Sequence, residues 1–271
     1  MDLSIGTTFN YAIPLKDQLP MIKAAGFTHI SLGANLEHSG YLDPARRTEL
    51  KQRLAENSLR LCSVHAPFLG GMDISAPDQN SARASLDLMK LCIDAAADLE
   101  AGIVTFHPYA DQAVDDPRRK DILATQVIAM FDHIADRNVR LAAENLRIEI
   151  LNEILAHSLN IIGTPRYGLC YDSSHDNLSS QPMSILRRYG TRLISTHISD
   201  NRKEKDDHML PFEGTFDWDQ FALAFSRIKF TGIFLLEVEM RESAFKDPAE
   251  FLKQAYVRGQ TLLKRAGKGS D

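Results

Sequence analysis

A strand pattern and a helix pattern alternate about eight times along the 271 residues of this chain, and no other feature constrains its fold as strongly. Short apolar runs such as 3–6 and 103–106 indicate buried strands. Longer amphipathic stretches such as 81–98 have apolar residues at helical spacing and indicate helices. Alternation of this kind predicts a parallel sheet with right-handed crossovers, and eight units predict an α/β protein with a single (β/α)8 TIM barrel.

Local signals set the boundaries of these elements. Gly26 follows a predicted helix over 15–25, and Asp43-Pro44 is an N-cap and first-turn pair for a helix that reaches about Asn57. Strands are expected at 3–6, 27–32, 59–64, 103–106, 139–143, 167–171, within 194–201, and at 232–237. The remaining helices are expected at 81–98, 117–136, 148–157, 218–227 and 248–265. The last of these helices would close the ring.

Length and composition agree with one domain that spans residues 1–271. A (β/α)8 barrel needs roughly 250 residues. A hydrophobic fraction of 44% with 25% charged residues is typical of a soluble protein with a large core. The net charge of −5 gives a whole-molecule field that does not attract polyanions, so nucleic acid is not the expected partner.

The cysteines and the termini indicate a cellular compartment. Cys62, Cys92 and Cys170 are odd in number, widely spaced and set in apolar runs, which predicts buried free thiols in a reducing compartment. The N-terminal residues show no basic segment followed by an apolar one, and no run approaches the ~18 apolar residues that a membrane helix needs. We therefore expect a cytoplasmic protein without a membrane segment.

Residues that can bind metals follow the predicted strands at their carboxyl ends. They are His65, His107, Glu144, Asp172, His175, His197, Asp206, His208 and Glu237. A single histidine at such a position is more often a hydrogen-bonded loop residue than a ligand. Nine such residues are unlikely to be unrelated loop residues, because the carboxyl ends of barrel strands meet at one rim and would bring them together.

The chemistry of these residues favours a catalytic metal site. Imidazole and carboxylate groups without a thiolate are typical ligands of Zn, Mn, Fe or Co in such sites. The carboxylates of Glu144, Asp172 and Glu237 could not converge at a barrel mouth unless a cation compensated their charges. The sequence therefore predicts a divalent cation at the carboxyl-terminal rim.

Other polar and aromatic residues carry weaker signals. Four histidines lack the strand-end context and are interpreted as structural or solvated, namely His29 inside a strand, His38 in a loop, and His133 and His157 on helices. The residues after the seventh strand could contact a substrate, with Arg202 as the candidate, although charged loops are usually only solvated; they are Asp200, Asn201, Arg202 and Lys203. Four aromatic residues could line the pocket or pack between loops, namely Phe68, Tyr109, Phe212 and Trp218.

From His65-Ala66-Pro67 to Glu237 the sequence resembles the xylose isomerase-like TIM barrel superfamily, which includes sugar and sugar-phosphate isomerases and epimerases and the endonuclease IV family (AP endonuclease family 2). In the isomerase and epimerase members, the resemblance implies one divalent metal, Zn or Mn above all, with Mg, Co or Fe as alternatives. Its implied ligands are Glu144, Asp172, His197 and Glu237. His175 would bind a substrate oxygen, and His65 and His107 are further candidates for substrate binding.

The endonuclease IV branch implies a different use of the same residues. Its three zinc ions use nine ligands, so His65, His107, His175, Asp206 and His208 would be additional metal ligands here. The chain lacks the longer signature that this branch has after the Asp172 element, and it lacks the Gly-rich basic loop before Asp206-Asp207-His208. The segment 208–218 looks more like the sugar isomerase-like branch.

These observations lead to an expected function with alternatives. We expect a metal-dependent isomerase or epimerase of a small sugar or sugar phosphate, in which Glu144 and Glu237 transfer a proton across the barrel and the metal stabilises an enediolate. A trinuclear zinc phosphodiesterase acting on abasic DNA is one alternative, and a lyase or dehydratase on the same barrel is another. A barrel that binds sugar without turnover is disfavoured by the full ligand set. The sequence is compatible with a homo-oligomer.

Overall fold

The structure, a computed structural model, describes residues 1–68, 70, 72–110 and 112–268. Its described strands are all parallel to their neighbours. They are β1 (Leu3–Gly6), β2 (His29–Leu32), β3 (Arg60–His65), β4 (Ile103–Phe106), β5 (Arg140–Glu144), β6 (Tyr167–Asp172), β7 (Leu193–His197) and β8 (Phe234–Leu236). Each strand overlaps one that the sequence predicts.

The strands form one nearly closed barrel. Their order in the sheet is β7-β6-β5-β4-β3-β2-β1-β8, so neighbours in sequence are neighbours in space. Closure between β7 and β8 depends on a single bridge between Ile198 and Leu236. The Ile198 N–H donates to the carbonyl of Leu235 at 3.0 Å, and the Glu237 N–H donates to the carbonyl of Ile198 at 3.2 Å. The predicted (β/α)8 TIM barrel is confirmed.

The helices cover the outside of the barrel. They are α1 (Leu15–Ala24), α2 (Leu36–Ser39), α3 (Pro44–Glu56), α4 (Gln79–Asp98), α5 (Arg119–Ile134), α6 (Asn152–Ile161), α7 (Ser173–Asn177), α8 (Ser184–Tyr189), α9 (Trp218–Ser226) and α10 (Pro248–Lys268). Short 3-10 turns lie at Thr7–Asn10, Glu149–Leu151 and Gly190–Arg192. The sequence predicts the longer helices but not α2, α7 and α8, which are too short to show a helical period. His38 accordingly lies in α2 rather than in a loop.

Two of the predicted helix ends have the expected geometry. The carboxylate of Asp43 accepts a hydrogen bond from the Ala45 N–H at 2.8 Å and caps α3. Gly26, just past α1, has a φ of +105°, and a Cβ atom there would lie 3.1 Å from the ring of Tyr256. Glycine suits that turn because the backbone conformation would strain any other residue, and a Cβ atom would also press on the Tyr256 ring.

The barrel interior is layered. A small apolar cluster lies inside it and consists of Ile103, Ala142, Cys170 and Ile194. Because strand residues two apart share a face, Ala142 lies below Glu144 and Cys170 lies below Asp172. The polar side chains at the rim therefore stand on an apolar floor.

The three cysteines have the state that the sequence predicts. Cys62, Cys92 and Cys170 are free thiols, and all three are buried. Burial raises the pKa of the Cys92 thiol to about 12 and that of Cys170 to about 11. None of the described helices is long and apolar enough to cross a membrane.

Asp200 anchors the long loop between β7 and α9. Its fully buried carboxylate accepts hydrogen bonds from the backbone N–H groups of Phe212 at 3.0 Å and Phe216 at 3.1 Å, and from the indole N–H of Trp218 at 2.9 Å. A Cβ atom at Gly214 would lie 2.3 Å from one of the same carboxylate oxygens. The loop thus folds back over Asp200, and this side chain serves the loop instead of facing the pocket.

Replacing Asp200 by Ala should lower the free energy of unfolding by roughly 3 kcal/mol, because several buried N–H donors lose their acceptor. Trp218 is the single tryptophan of the chain, so its fluorescence reports this loop directly in urea unfolding. Asp219→Ala is the matched control, because the Asp219 side chain is 89% exposed and its loss should change stability by no more than about 0.5 kcal/mol. Equal losses in both variants would contradict this role of Asp200.

Candidate metal centre

The structure brings eight of the nine strand-end residues into three groups whose ligand atoms lie within 4.8 Å of one another. The groups are His65, Glu144 and His197; His175, Asp206 and His208; and Glu144, Asp172, His197 and Glu237. The ninth residue, His107, lies beside them, with Nε2 3.8 Å from Oε2 of Glu144. Parallel strands in sequence order carry six of these residues to the same end of the barrel, and α7 and the loop after β7 add His175, Asp206 and His208.

Glu144, at the end of β5, lies at the centre of the site. Its Oε2 atom is 3.2 Å from Nε2 of His65 and 3.1 Å from Nδ1 of His197, and its Oε1 atom is 3.3 Å from Nδ1 of His175. The side chain is 1% exposed. A carboxylate buried this deeply needs compensating positive charge, which imidazolium groups or a metal ion can supply.

We name Glu144, Asp172, His197 and Glu237 the four-ligand group, and its geometry fits a cation. Nδ1 of His197 lies 2.9 Å from Oε2 of Glu237 and 3.1 Å from Oε2 of Glu144, yet it makes no hydrogen bond of acceptable geometry. Oδ2 of Asp172 is also buried without a hydrogen-bond partner. Because buried polar atoms are almost always paired, these unpaired nitrogen and oxygen atoms are suited to share a divalent ion.

The group of His175, Asp206 and His208 lies next to the four-ligand group. Oδ2 of Asp206 is 2.9 Å from Nε2 of His175 and 3.1 Å from Nε2 of His208. Asp206 and His208 belong to the loop that Asp200 anchors, whereas His175 belongs to α7. Oδ1 of Asp172 accepts the His175 N–H at 2.7 Å and so caps the short helix that presents this histidine.

Neighbouring groups orient the ligands. Oδ1 of Asn145 accepts the backbone N–H of Asp172 at 2.8 Å, and its Nδ2 donates to the Asp172 carbonyl at 2.9 Å. The Asn145 carbonyl lies 3.0 Å from Nδ1 of His175, and the Ala66 carbonyl lies 2.7 Å from Nδ1 of His65. Such partners fix ring orientation and tautomer in metal sites. The sequence analysis did not single out Asn145, whose place directly after Glu144 was the available signal.

The carboxylates and imidazoles shift one another's pKa values. Burial opposes the charge of His197, but Cys170, Glu237 and Glu144 outweigh it and raise its pKa well above the ordinary value. The pKa values of His175 and His208 are raised in the same way against burial, above all by Asp172 and Asp206 respectively. Burial raises the pKa of Glu237, but His197 prevails and lowers it to about 2. Without a metal, protons on these histidines therefore balance the carboxylates.

His107 differs from the other site histidines. Burial is the main cause that lowers its pKa to about 3, so its ring stays neutral. The ring of Phe68 stacks on it, with centroids 4.2 Å apart and an angle of 17° between the planes. A neutral imidazole can bind a metal or accept a hydrogen bond from a substrate.

A pocket of about 520 Å³ opens above these groups. Phe68 lines it as the sequence analysis anticipated, whereas Tyr109 is buried and its hydroxyl donates to the Ile148 carbonyl at 3.1 Å. Phe212 and Trp218 pack against each other outside the pocket. The pocket also has lining residues that the sequence analysis did not single out, including Thr8, Tyr11, Leu36, Glu37, Leu146, Arg147 and Glu239. They come from loops, a 3-10 turn and the short helix α2, where no periodic pattern marks them.

The remaining polar candidates lie away from the pocket. Arg202 and Lys203 are exposed and do not line it, so a substrate contact by Arg202 stays a prediction. The ring of His133 lies 2.8 Å from Asp94, and Nε2 of His38 lies 2.9 Å from the Ile13 carbonyl. These two contacts agree with the structural interpretation of both histidines.

The fold and the site define a family. A family model for the xylose isomerase-like TIM barrel matches residues 19–255. The chain therefore belongs to the xylose isomerase-like TIM barrel family.

Individual relatives include a sugar epimerase. An uncharacterised protein of Sinorhizobium fredii, y4fM, is 30% identical over 237 residues, which are 78% of this chain and 76% of that protein. Fructoselysine 3-epimerase of Shigella flexneri is 23% identical over 203 residues, 69% of each chain. The crystal structure of IOLI protein with a bound zinc atom matches with a TM-score of 0.83 at 17% identity, and the match covers 98% of this chain and 99% of that one.

Metal binding to the metal-free protein should release protons, because a metal ligand is a neutral imidazole, whereas the raised pKa of His197 favours its protonated form in the metal-free site. A raised histidine pKa stabilises the fold below the ordinary value of 6.5, and this stability is lost as pH rises through the raised value. The melting temperature of metal-free protein should therefore fall as pH rises above about 6.5, while the increase in melting temperature caused by added metal grows.

Thermal melts with and without chelator, and calorimetry in buffers of different ionisation enthalpy, measure both effects. Metal affinity should increase roughly tenfold per pH unit for each proton displaced. A His133→Gln variant is the control, because its ring lies outside the site on α5, and it should release the same number of protons. Metal binding without proton release would contradict the proposed protonation of the site.

Proposed function

We propose that this protein is a divalent-metal-dependent isomerase or epimerase of a small sugar-like molecule. The observation that carries the proposal is the four-ligand group, which lies at the base of a pocket of about 520 Å³. The similarity to fructoselysine 3-epimerase supports the reaction class. The zinc atom in the related IOLI structure supports Zn as one candidate metal, alongside Mn, Mg, Co and Fe.

Glu144, Asp172, His197 and Glu237 would hold the cation. A divalent ion bound there acts as a Lewis acid that polarises a substrate carbonyl and acidifies the adjacent C–H bond. The buried histidines around it, His65, His107 and His175, line the pocket and would hydrogen-bond to substrate oxygens. Their contacts would fix the face of the sugar that meets each carboxylate.

Glu144 and Glu237 are the proposed catalytic pair. Their strand ends belong to β5 and β8, which are not neighbours in the sheet, and both side chains line the pocket. One carboxylate would remove the proton from the carbon next to the carbonyl, and the other would return a proton. Return to the opposite face of the same carbon is epimerisation, whereas return to the neighbouring carbon of the enediolate is isomerisation.

Substituting Gln for Glu144 or Glu237 should reduce turnover by at least about 100-fold, because general acid–base catalysis typically contributes this much. Exchange of the substrate C–H hydrogen with deuterated solvent measures the proton transfer directly. Glu153→Gln, at a 60%-exposed position on α6, is the matched control and should retain full activity. If both site variants kept their exchange rates, the proposed roles would be wrong.

A second candidate is hydrolysis of a phosphodiester, such as abasic DNA, at a trinuclear zinc site. The observation in its favour is that three groups of potential ligands overlap or adjoin, with Glu144 and His197 shared between two of them. The net charge of −5 and the carboxylates in the pocket favour a small substrate over DNA.

A lyase or dehydratase would use the same proton abstraction as the isomerase and would then expel a β-hydroxyl group from the substrate.

Metal content separates the first two candidates. The isomerase proposal predicts close to one firmly bound ion per chain, whereas the phosphodiesterase predicts close to three, as measured by elemental analysis after dialysis. Asp206→Asn should leave one bound ion and some exchange activity in the first case, because Asp206 is outside the four-ligand group. Three ions in the wild type together with cleavage of an abasic oligonucleotide would favour the second candidate. Analysis of the products formed from a panel of sugars and sugar phosphates would identify elimination.

A further inference from the structure

We infer that the substrate of this pocket carries no phosphate group, and that its outer end is a neutral polyhydroxy chain bound by the carboxylates of Glu37 and Glu239 and the hydroxyl of Tyr11. The inference rests on the proposed function, because it names the substrate class of the same site. It decides between the sugar and the sugar phosphate that the sequence leaves open.

A phosphate needs cationic side chains or free backbone N–H groups. Arginine, lysine and helix N-termini are the usual partners of phosphate oxygens. In (β/α)8 barrels such a site frequently forms from the loops after β7 and β8 together with a helix N-terminus. These loops are therefore the place to look for one.

The N-termini of α7, α9 and α10, the first helices after β6, β7 and β8, are already occupied by carboxylates. Asp217 accepts the N–H of Gln220 at 2.9 Å and caps α9, and Asp247 accepts the N–H of Glu250 at 2.9 Å at the start of α10. Asp172 caps α7 in the same way. Each capping carboxylate takes up an N–H group and also repels an incoming anion.

The cationic side chains of the loops after β7 and β8 are not among the residues that line the pocket. The Lys205 side chain is 62% exposed and pairs with Asp207 and Glu242, and that of Arg241 is 66% exposed and lies 3.4 Å from Glu239. Arg202 is exposed as well. Among the lining residues in the described part of the chain, Arg147 is the one lysine or arginine, and it already has an interaction of its own.

The pocket itself is rich in negative charge. One divalent cation does not balance the three carboxylates of the four-ligand group. Of the three further carboxylates that line the pocket, Asp206 is compensated by His175 and His208, and Glu37 and Glu239 add to the negative charge. A phosphate dianion at the outer end of a sugar would lie near the carboxylate of Glu37, which is exposed, or that of Glu239, which is half-buried. Repulsion there would weaken binding, whereas a hydroxyl group would donate a hydrogen bond to either carboxylate.

Tyr11 and the apolar lining complete this outer part of the pocket. A Cβ atom at Gly33 would lie 2.3 Å from the Tyr11 hydroxyl, so the bare glycine lets the phenol reach over the end of β2. Burial and the charge of Glu237 raise the pKa of Tyr11, and its hydroxyl remains a hydrogen-bond donor. Leu36, Phe68 and Leu146 offer an apolar surface for the C–H face of a sugar.

Matched pairs of ketoses and their terminal phosphates test the inference, with fructose against fructose 6-phosphate and ribulose against ribulose 5-phosphate as probes. Calorimetric titration of the metal-loaded protein should show at least tenfold tighter binding of the free sugar in a pair. A parallel titration with inorganic phosphate measures how strongly a phosphate group binds to the metal ion when no sugar is attached to it. Glu239→Lys should reduce the ratio of the two dissociation constants in a pair at least tenfold. Glu153→Lys makes the same charge change on the surface of α6 and should leave this ratio unchanged.

The outcomes separate this inference from the proposed function. Equal or tighter binding of the phosphorylated members would overturn the inference, while hydrogen exchange on those members would still support the isomerase. Preference for free sugars without any exchange would uphold the inference and count against the proposed function. Failure of both classes to bind would count against both.

Discussion

The structure of the site depends on the burial of Glu144 among imidazoles at the end of β5. Its carboxylate is 1% exposed and contacts His65, His175 and His197. Removing such a charge from water is so costly that the surroundings must supply positive charge, as protons on the histidines or as a metal ion. This requirement explains why the side chains from many strands converge on one carboxylate, and why unpaired atoms such as Oδ2 of Asp172 persist in the core.

The barrel satisfies this requirement with ordinary strand geometry. An apolar layer that includes Ala142 and Cys170 supports the polar layer two residues further along the same strands. Loops then add the residues that strands cannot reach, and Asp200 makes one of these loops rigid by accepting several N–H groups. Asp200, which stabilises the loop, and Asp206, which lies in the site, are thus only six residues apart. Their different hydrogen-bond partners distinguish them.

Charge is distributed in a way that links the fold to its proposed chemistry. Carboxylates cap α7, α9 and α10, hold the proposed cation and line the outer pocket. A single divalent ion at the base leaves this pocket with an excess of acceptors for hydroxyl groups. Such a surface suits the neutral sugar of the proposed function, and a fructoselysine 3-epimerase is among the relatives of this chain.

The sequence alone determined the barrel, the order of its strands and the residues at the strand ends, because strand and helix periods are local and parallel strands in sequence order share one rim. Helix caps such as Asp43 and Gly26 were predictable for the same local reason. Only the tertiary structure decided that Asp200 anchors a loop while Arg202 stays exposed, and that Tyr11, Glu37 and Glu239 face the pocket. Loop side chains follow no period, and their directions depend on hydrogen bonds to residues far along the chain, which one sequence does not reveal.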